Sequence, residues 1–318
     1  MSSTVKAHIA LAIVNIIYGA SYVVAKEVTP LYVKPFGLIL IRVSMASLLY
    51  YAFFKLLSAG SHAESRLHHP VKRADWVRLI LCGLFGVAIN QLLFFKGLSM
   101  TSPISASLIM ITTPILVLLI AAFMRHERLT WIKIIGVLMG ATGAAAVIAG
   151  GKSGSDGSSA LGNLLVFINA ASYGLYLVIV KPLMQRYHPL TIIMWVFVTG
   201  LFFVAPVGYS ELMAVDWHTL TPLIWGCIVF LVLATTFLTY LLNIYALEKV
   251  SPSIVGVYIY SQPLIATLLA VGFGKDELSV IKIAAALLIF TGVFLVSNPP
   301  GKTVVKFTAQ NTAAKPEP

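Results

Sequence analysis

Residues 102–143 read SPISASLIMITTPILVLLIAAFMRHERLTWIKIIGVLMGATG, and residues 251–292 read SPSIVGVYIYSQPLIATLLAVGFGKDELSVIKIAAALLIFTG. Laid over each other without a gap at an offset of 149, they share 12 of 42 positions. Leu on Leu carries little weight in so apolar a chain. The informative matches are Ser102-Pro103 with Ser251-Pro252, Pro114 with Pro263, Lys133 with Lys282, and Thr142-Gly143 with Thr291-Gly292. Upstream, Tyr18-Gly19 with Lys26 recurs as Tyr173-Gly174 with Lys181, at the same Tyr-to-Lys spacing of 8. Two copies of one design follow, over 7–150 and 160–297. Residues 1–6 precede them, a Gly/Ser-rich linker at 151–159 joins them, and 298–318, which begins Asn-Pro-Pro-Gly and has no apolar pattern, reads as a disordered tail.

Each copy is too apolar for a soluble domain. Of 318 residues, 59% are hydrophobic and 10% charged, against roughly 25% charged in an ordinary soluble domain. Ten apolar stretches lie near 7–25, 36–57, 77–98, 103–124, 131–149, 160–180, 189–210, 221–247, 252–273 and 280–297. Each reaches the roughly 17–25 residues that a helix needs to cross the hydrocarbon. None alternates polar and apolar positions as a barrel strand would. The expected fold class is an all-α membrane protein of ten transmembrane helices. The first stretch follows Lys6 as a signal peptide would, but it carries Asn15 and Tyr18 and lacks a small-x-small cleavage site before Lys26-Glu27, so it reads as helix one. Five spans per copy, an odd number, make the second copy enter from the opposite face. Such inverted repeats can exchange shapes and open a central site to either side in turn.

The formal charge of +11 invites a nucleic-acid partner, but placement decides otherwise. If the chain starts inside and crosses ten times, 15 of the 22 Lys and Arg fall on or near the cytoplasmic side. This positive-inside bias places both termini in the cytoplasm. The expected partners are the lipid bilayer and a small-molecule substrate, with no nucleic acid, in a monomer or homodimer. Cys82 and Cys227 sit inside apolar spans as small hydrophobes. Neither a disulfide, a metal nor a cofactor is expected.

Polar residues inside the spans mark the candidate site. Ser102-Pro103 and Ser251-Pro252 read as helix starts, with a Ser cap and Pro at the first helical position. Pro114 and Pro263, 11 residues on, should kink helices four and nine near the midplane. Each frees a carbonyl four residues earlier, on Met110 and Ile259. Such groups are tolerated only where protein or a watery cavity satisfies them. Beside the prolines stand Thr112, Thr113, Ser261 and Gln262, which either line a cavity or cap those carbonyls. Helix three adds Asn90, Gln91 and Phe94, and helix eight adds Thr236, Tyr240 and Asn243 at i, i+4 and i+7. Helices one and six add Asn15, Tyr18, Ser21 and Tyr22, then Asn169, Ser172, Tyr173 and Tyr176. The substrate-binding candidates are Asn15, Tyr18, Asn90, Gln91, Thr113, Tyr173, Tyr240, Asn243 and Gln262, for each of which packing alone is the competing role. None of the 11 Asp and Glu lies mid-span, which counts against hydrophobic cations as cargo. Lys26, Lys34, Arg42 and Lys96 gather toward the outer side of the first half, where they could attract a carboxylate. Arg42 and Lys96 are the deepest charges, and snorkelling to the interface is the expectation for both.

The pattern Asn90-Gln91, Phe94, Phe95, Gly97-Leu98, Thr101, Pro103, Ala106-Ser107, Thr113-Pro114 and Glu127-Arg128-Leu129-Thr130 resembles the EamA family of the drug/metabolite transporter superfamily. Tyr245-Ala246-Leu247, Ser251-Pro252, Gln262-Pro263 and Glu277-Leu278 resemble its second repeat. The resemblance covers roughly 7–297. It implies a bacterial inner-membrane exporter or uptake carrier for amino acids and other metabolites.

Other motifs fail on their spacing. Gly151-Lys152-Ser153 ends like a phosphate loop, but Ala146 stands where its first Gly belongs. His126-Glu127 opens a zinc-protease pattern, but Thr130 replaces the second His. Gly136, Gly140 and the run Ala144-Ala145-Ala146 fit close helix packing, with a subunit interface as one candidate. The expected function is secondary transport, by alternating access, of amino acids or similar small polar metabolites, with export as the expected direction. The alternatives are a nucleotide-sugar or organic-phosphate exchanger, which needs basic residues around the cavity, and a membrane enzyme or scaffold. For catalysis the spans offer no paired carboxylates, no Ser/His pair and no metal cluster, so the chain is read as no enzyme.

Overall fold

In the computed structural model the described residues are 2–58, 70–124, 129–150, 159–247, 249–250 and 258–297, apart from the side chains at 240, 244 and 247. They are all-helical. Nine of their helices are long and apolar enough to cross a membrane. These are α1 (Ser3–Val28), α2 (Pro35–Ser58), α3 (Arg73–Ser99), α4 (Pro103–Phe123), α5 (Trp131–Gly150), α6 (Ala160–Met184), α7 (Pro189–Met213), α8 (from Pro222, with segments Pro222–Val229, Phe230–Leu238 and Thr239–Leu247) and α10 (Val280–Ser297). A shorter apolar helix, α9 (Gln262–Gly272), lies between α8 and α10.

The helix starts follow from local chemistry. The hydroxyls of Ser2, Ser102, Ser159 and Thr221 accept from the backbone N–H groups of Val5, Ser105, Gly162 and Ile224. Each satisfies one of the donors that a helix N-terminus leaves orphaned. Pro103 and Pro222 occupy first-turn positions, where no N–H is required.

Packing pairs α2 with α7 and α5 with α10; α1 lies on α8 and α9, and α6 on α3 and α4. Backbones approach where glycines meet: a Cβ at Gly136 would stand 2.6 Å from the carbonyl oxygen of Gly292, and one at Gly292 2.6 Å from Gly140 N. Gly136 and Gly292 thus face each other within one chain, a packing role that needs no subunit interface. Outward faces are apolar, with Phe123, Phe202 and Leu268 exposed, as expected of a surface that meets lipid tails.

Charge is confined mostly to the two ends. At the end where α1 finishes, Asp276 Oδ2 accepts from Ile104 N at 3.0 Å and its Oδ1 from Lys282 Nζ at 2.6 Å. Lys275 pairs with Glu27, and Lys26 donates to the Ser99 carbonyl. Glu211 accepts from the Phe36 and Gly37 N–H groups that open α2. At the opposite end Asp75 accepts from Arg186 and from the Tyr187 hydroxyl, which in turn accepts from Lys72 N. Burial pushes the Tyr187 hydroxyl above its ordinary pKa, so it stays the donor of that bond. Trp76 and Trp195 meet at this end, and Trp217 stacks on Trp225 at the other. Between them α7 climbs from Trp195 to Met213 by about 27 Å at 1.5 Å per residue, close to the roughly 30 Å of a hydrocarbon core.

Candidate functional site

Two helices widen at their centres. α3 passes through a π-helical stretch at Leu84–Ile89 and α8 through a longer one at Phe230–Leu238. A π turn offsets the i→i−4 ladder and leaves carbonyls for other partners, and such turns are frequent at functional sites. α6 serves those of α3: Ser172 Oγ donates to the Phe85 carbonyl at 2.7 Å and Asn169 Nδ2 to the Asn90 carbonyl at 2.6 Å. α2 serves those of α8: Arg42 Nε donates to the Leu231 carbonyl at 3.1 Å and the Tyr50 hydroxyl to the Thr236 carbonyl at 2.7 Å.

A proline-bearing turn breaks α4 and another opens α9. α4 runs over Pro103–Met110, turns at Ile111-Thr112 and resumes over Thr113–Phe123, with Pro114 in the first turn. α9 starts at Gln262 with Pro263 in its first turn, after a turn at Tyr260-Ser261. The Thr113 hydroxyl donates to the Met110 carbonyl at 2.7 Å and the Thr112 hydroxyl to that of Ile109. Of the two roles foreseen for Thr113, its hydroxyl therefore performs the capping one. Thr113→Ser is expected to leave unfolding unchanged, and Thr113→Val to cost about 1 kcal/mol in detergent unfolding assays.

Between these helices lies a core of amides, phenols and one guanidinium. Gln262 Nε2 donates to Asn15 Oδ1 at 2.9 Å, and Asn15 Nδ2 donates to the Leu11 carbonyl at 2.8 Å. The Tyr18 hydroxyl faces Thr239 and is within electrostatic range of Arg42, as Tyr18 is of Tyr22, Tyr50 and Tyr173. Tyr173 stacks on Tyr176 with centroids 5.7 Å apart. Tyr176 fills the space that Gly86 of α3 leaves, since a Cβ there would stand 2.5 Å from its ring. Tyr22 meets Phe94 edge-on, and Phe94 meets Phe95. Two buried acceptors, Gln91 Oε1 and Asn169 Oδ1, have no hydrogen-bond partner among the described residues.

Of the residues singled out in the sequence, Asn15 and Gln262 are bonded directly, Tyr18 is within electrostatic range of Tyr173, and Gln91 has a buried Oε1. Asn90 contributes its carbonyl, and its side chain is half-buried. Asn243 is also half-buried, one turn beyond Thr239. Tyr240 lies outside the described side chains. Arg42 departs from expectation: it does not snorkel, but is 7% exposed and bonded across to α8. Tyr50 and Thr235 were not foreseen. Arg42 and Tyr50, eight residues apart, form one stripe of α2 at the i, i+4, i+8 spacing, a signal that was available in the sequence.

The EamA-like transporter family model matches residues 5–149 and 160–298. The chain belongs to that family. This EamA-like chain is 25% identical over 228 residues to an uncharacterized transporter of Archaeoglobus fulgidus, covering 71% of this chain and 79% of that protein. It is 23% identical to the uncharacterized transporter YetK of Bacillus subtilis, over 91% of this chain and 86% of the relative. A protein of Streptantibioticus cattleyicolor named a probable terminal-alkyne amino-acid exporter is 30% identical over 133 residues, 42% of this chain and 44% of that one. A solved crystal structure shares the fold, with a TM-score of 0.58 and 22% identity over 93% of this chain and 97% of the other. The EamA-like chain is thus a multi-pass membrane protein of a transporter family.

Proposed function

We propose that this EamA-like chain is a secondary transporter that exports amino acids or similar small polar metabolites across the inner membrane by alternating access. In this reading it has ten spans in two inverted five-helix halves, with both termini cytoplasmic. The observation that carries it is the pairing of its interruptions: π turns in α3 and α8, and first-turn prolines that follow the turns at Ile111-Thr112 and Tyr260-Ser261. The exchange of partners between halves, α1 on α8 and α9 against α6 on α3 and α4, supports the same repeat. Irregular backbone at membrane depth is tolerated where it lines a cavity, and repeat interfaces at the midplane are where carriers bind cargo. The exporter relative supports the direction and the amino-acid class.

A phosphate-exchanger reading is less well supported. A doubly charged phosphate calls for several cations, whereas the core described above is built of Asn, Gln, Tyr, Thr and Phe side chains around Arg42.

The test is flux in proteoliposomes with an amino-acid panel. Gln91→Leu removes a buried acceptor that lacks a donor among the described residues, so stability should not fall, while flux should drop at least about tenfold, or 1.4 kcal/mol in barrier terms. Absence of gradient-dependent flux for the whole panel, with folded protein, would remove the main support for transport. Unchanged flux in Gln91→Leu would remove Gln91 from the site.

A further inference from the structure

Asn169 of α6 is 1% exposed and puts half of its amide to use. Its Nδ2 donates at 2.6 Å to the Asn90 carbonyl, so the side chain lies against the peptide that joins Asn90 to Gln91 of α3. A carbonyl has to face an N–H, so this bond fixes which way the amide points. Oδ1 is left buried with no donor among the described residues, and Gln91 Oε1 is in the same condition. Buried acceptors without donors are costly, and native folds seldom keep them idle.

The two acceptors belong to one closed circuit of side chains. Gln91 and Phe94, three apart on the α-helical part of α3, are neighbours on its surface. Phe94 meets Tyr22 of α1 edge-on, with ring centroids 5.5 Å apart. Tyr22 is one turn from Tyr18, which is within electrostatic range of Tyr173 of α6. Tyr173 is one turn from Asn169, and Asn169 returns to the peptide of Gln91. The circuit thus carries two acceptors and four aromatic rings on three helices.

We infer that this circuit binds the protonated primary amine of the transported solute, with Gln91 Oε1 and Asn169 Oδ1 accepting from its N–H groups, an inference that rests on the transport reading above. A primary ammonium carries three donors and no acceptor. Bonds from a charged donor are roughly twice as strong as neutral ones, and the π faces of Tyr and Phe attract a cation. A quaternary ammonium offers the rings the same charge but has no N–H to give. None of the 11 Asp and Glu lies mid-span to take the place of its lost hydration. Amide oxygens can do so only for an amine that donates, so the circuit selects a primary amine over its methylated form.

The experiment compares each primary L-amino acid of the flux panel with its Nα-trimethyl derivative in proteoliposomes of the wild type, Gln91→Leu and Gln91→Glu. The wild type should move the amino acid at least about tenfold faster than the trimethyl form. Gln91→Leu should lose at least about tenfold of amino-acid flux and leave trimethyl flux unchanged, and Gln91→Glu, which keeps an acceptor, should recover part of that loss. Equal movement of the two solutes by the wild type would overturn the inference. So would no loss, or an equal loss of both, in Gln91→Leu, and the two oxygens would then belong to ordered water. Should Gln91→Leu not fold, thermal shift of the wild type decides: stabilisation by the amino acid over its trimethyl form upholds the inference, and equal or absent shifts overturn it. A wild type that moves no solute overturns the transport reading, and the same thermal-shift comparison then judges the circuit separately.

Discussion

Asp276→Ala is expected to lower the unfolding free energy by roughly 3–5 kcal/mol, the range for breaking a buried ion pair from one side. Three donors lose an acceptor together: the Lys282 ammonium, the Ile104 N–H and the Glu277 N–H, which reaches Asp276 Oδ1 at 2.8 Å. The Lys282 ammonium, with a side chain 6% exposed, keeps the Glu277 carbonyl at 2.9 Å but loses its carboxylate. The Ile104 N–H, one of the orphan donors at the start of α4, loses its acceptor. Asp276→Asn separates the contributions, because an amide oxygen can still accept from Ile104 but no longer neutralises Lys282. Unfolding of purified protein in mixed micelles should rank wild type above Asn and Asn above Ala. A loss below about 1 kcal/mol for Ala, the value of an exposed pair, would show that water already reaches the site. The exposed Lys275–Glu27 pair supplies that comparison, and its removal should be nearly silent.

Gly292→Val should prevent the fold from forming. The first carbon of any side chain would stand 2.5 Å from the Gly136 carbonyl oxygen, 2.6 Å from Gly140 N and 3.0 Å from Gly140 Cα. All three are backbone atoms of α5, which cannot rotate aside, so α5 and α10 must separate along the seam that joins them. Without a hydrophobic driving force between helices in lipid, close backbone packing is what holds such a seam. Gly226→Val is the control, since nothing lies within 4 Å of its added carbon. Size-exclusion profiles should show a single folded species for the second variant and aggregate for the first. A monodisperse, folded Gly292→Val protein would show that α10 is free to shift.

Much of the fold was legible because the bilayer imposes few solutions on an apolar chain. Helix starts at Pro103, Trp131, Ala160, Pro189 and Val280 agree with the sequence reading within one residue, since each is announced by a cap, a Pro or the edge of an apolar run. The start of α3 lies earlier, at Arg73, because that first turn is charged while its backbone is already helical. The π stretches of α3 and α8 were not legible, as residues Leu84–Ile89 and Phe230–Leu238 have no composition that distinguishes a π turn from an α turn. In the site, the Asn15–Gln262 bond joins residues 247 apart. The sequence marked both as polar and buried without saying that they meet. Arg42 was misjudged for a physical reason: the snorkelling rule considers a side chain and the nearest interface, and takes no account of acceptors on α8 that make staying inside the lower-energy choice.

The tryptophan pairs at the two ends of α7 give the molecule a built-in optical gauge. Trp76 and Trp195 lie 4.8 Å apart by ring centroid and Trp217 and Trp225 5.6 Å, the first pair edge-on and the second stacked. Indoles this near perturb each other's excited states, so each pair is a short-range ruler whose signal changes when its own rim spreads. Of the five tryptophans only Trp131 stands apart from these pairs. With Trp131 replaced by Phe, emission and near-ultraviolet dichroism would report the two rims of the bundle without an attached dye, one rim at a time once the opposite pair is also removed.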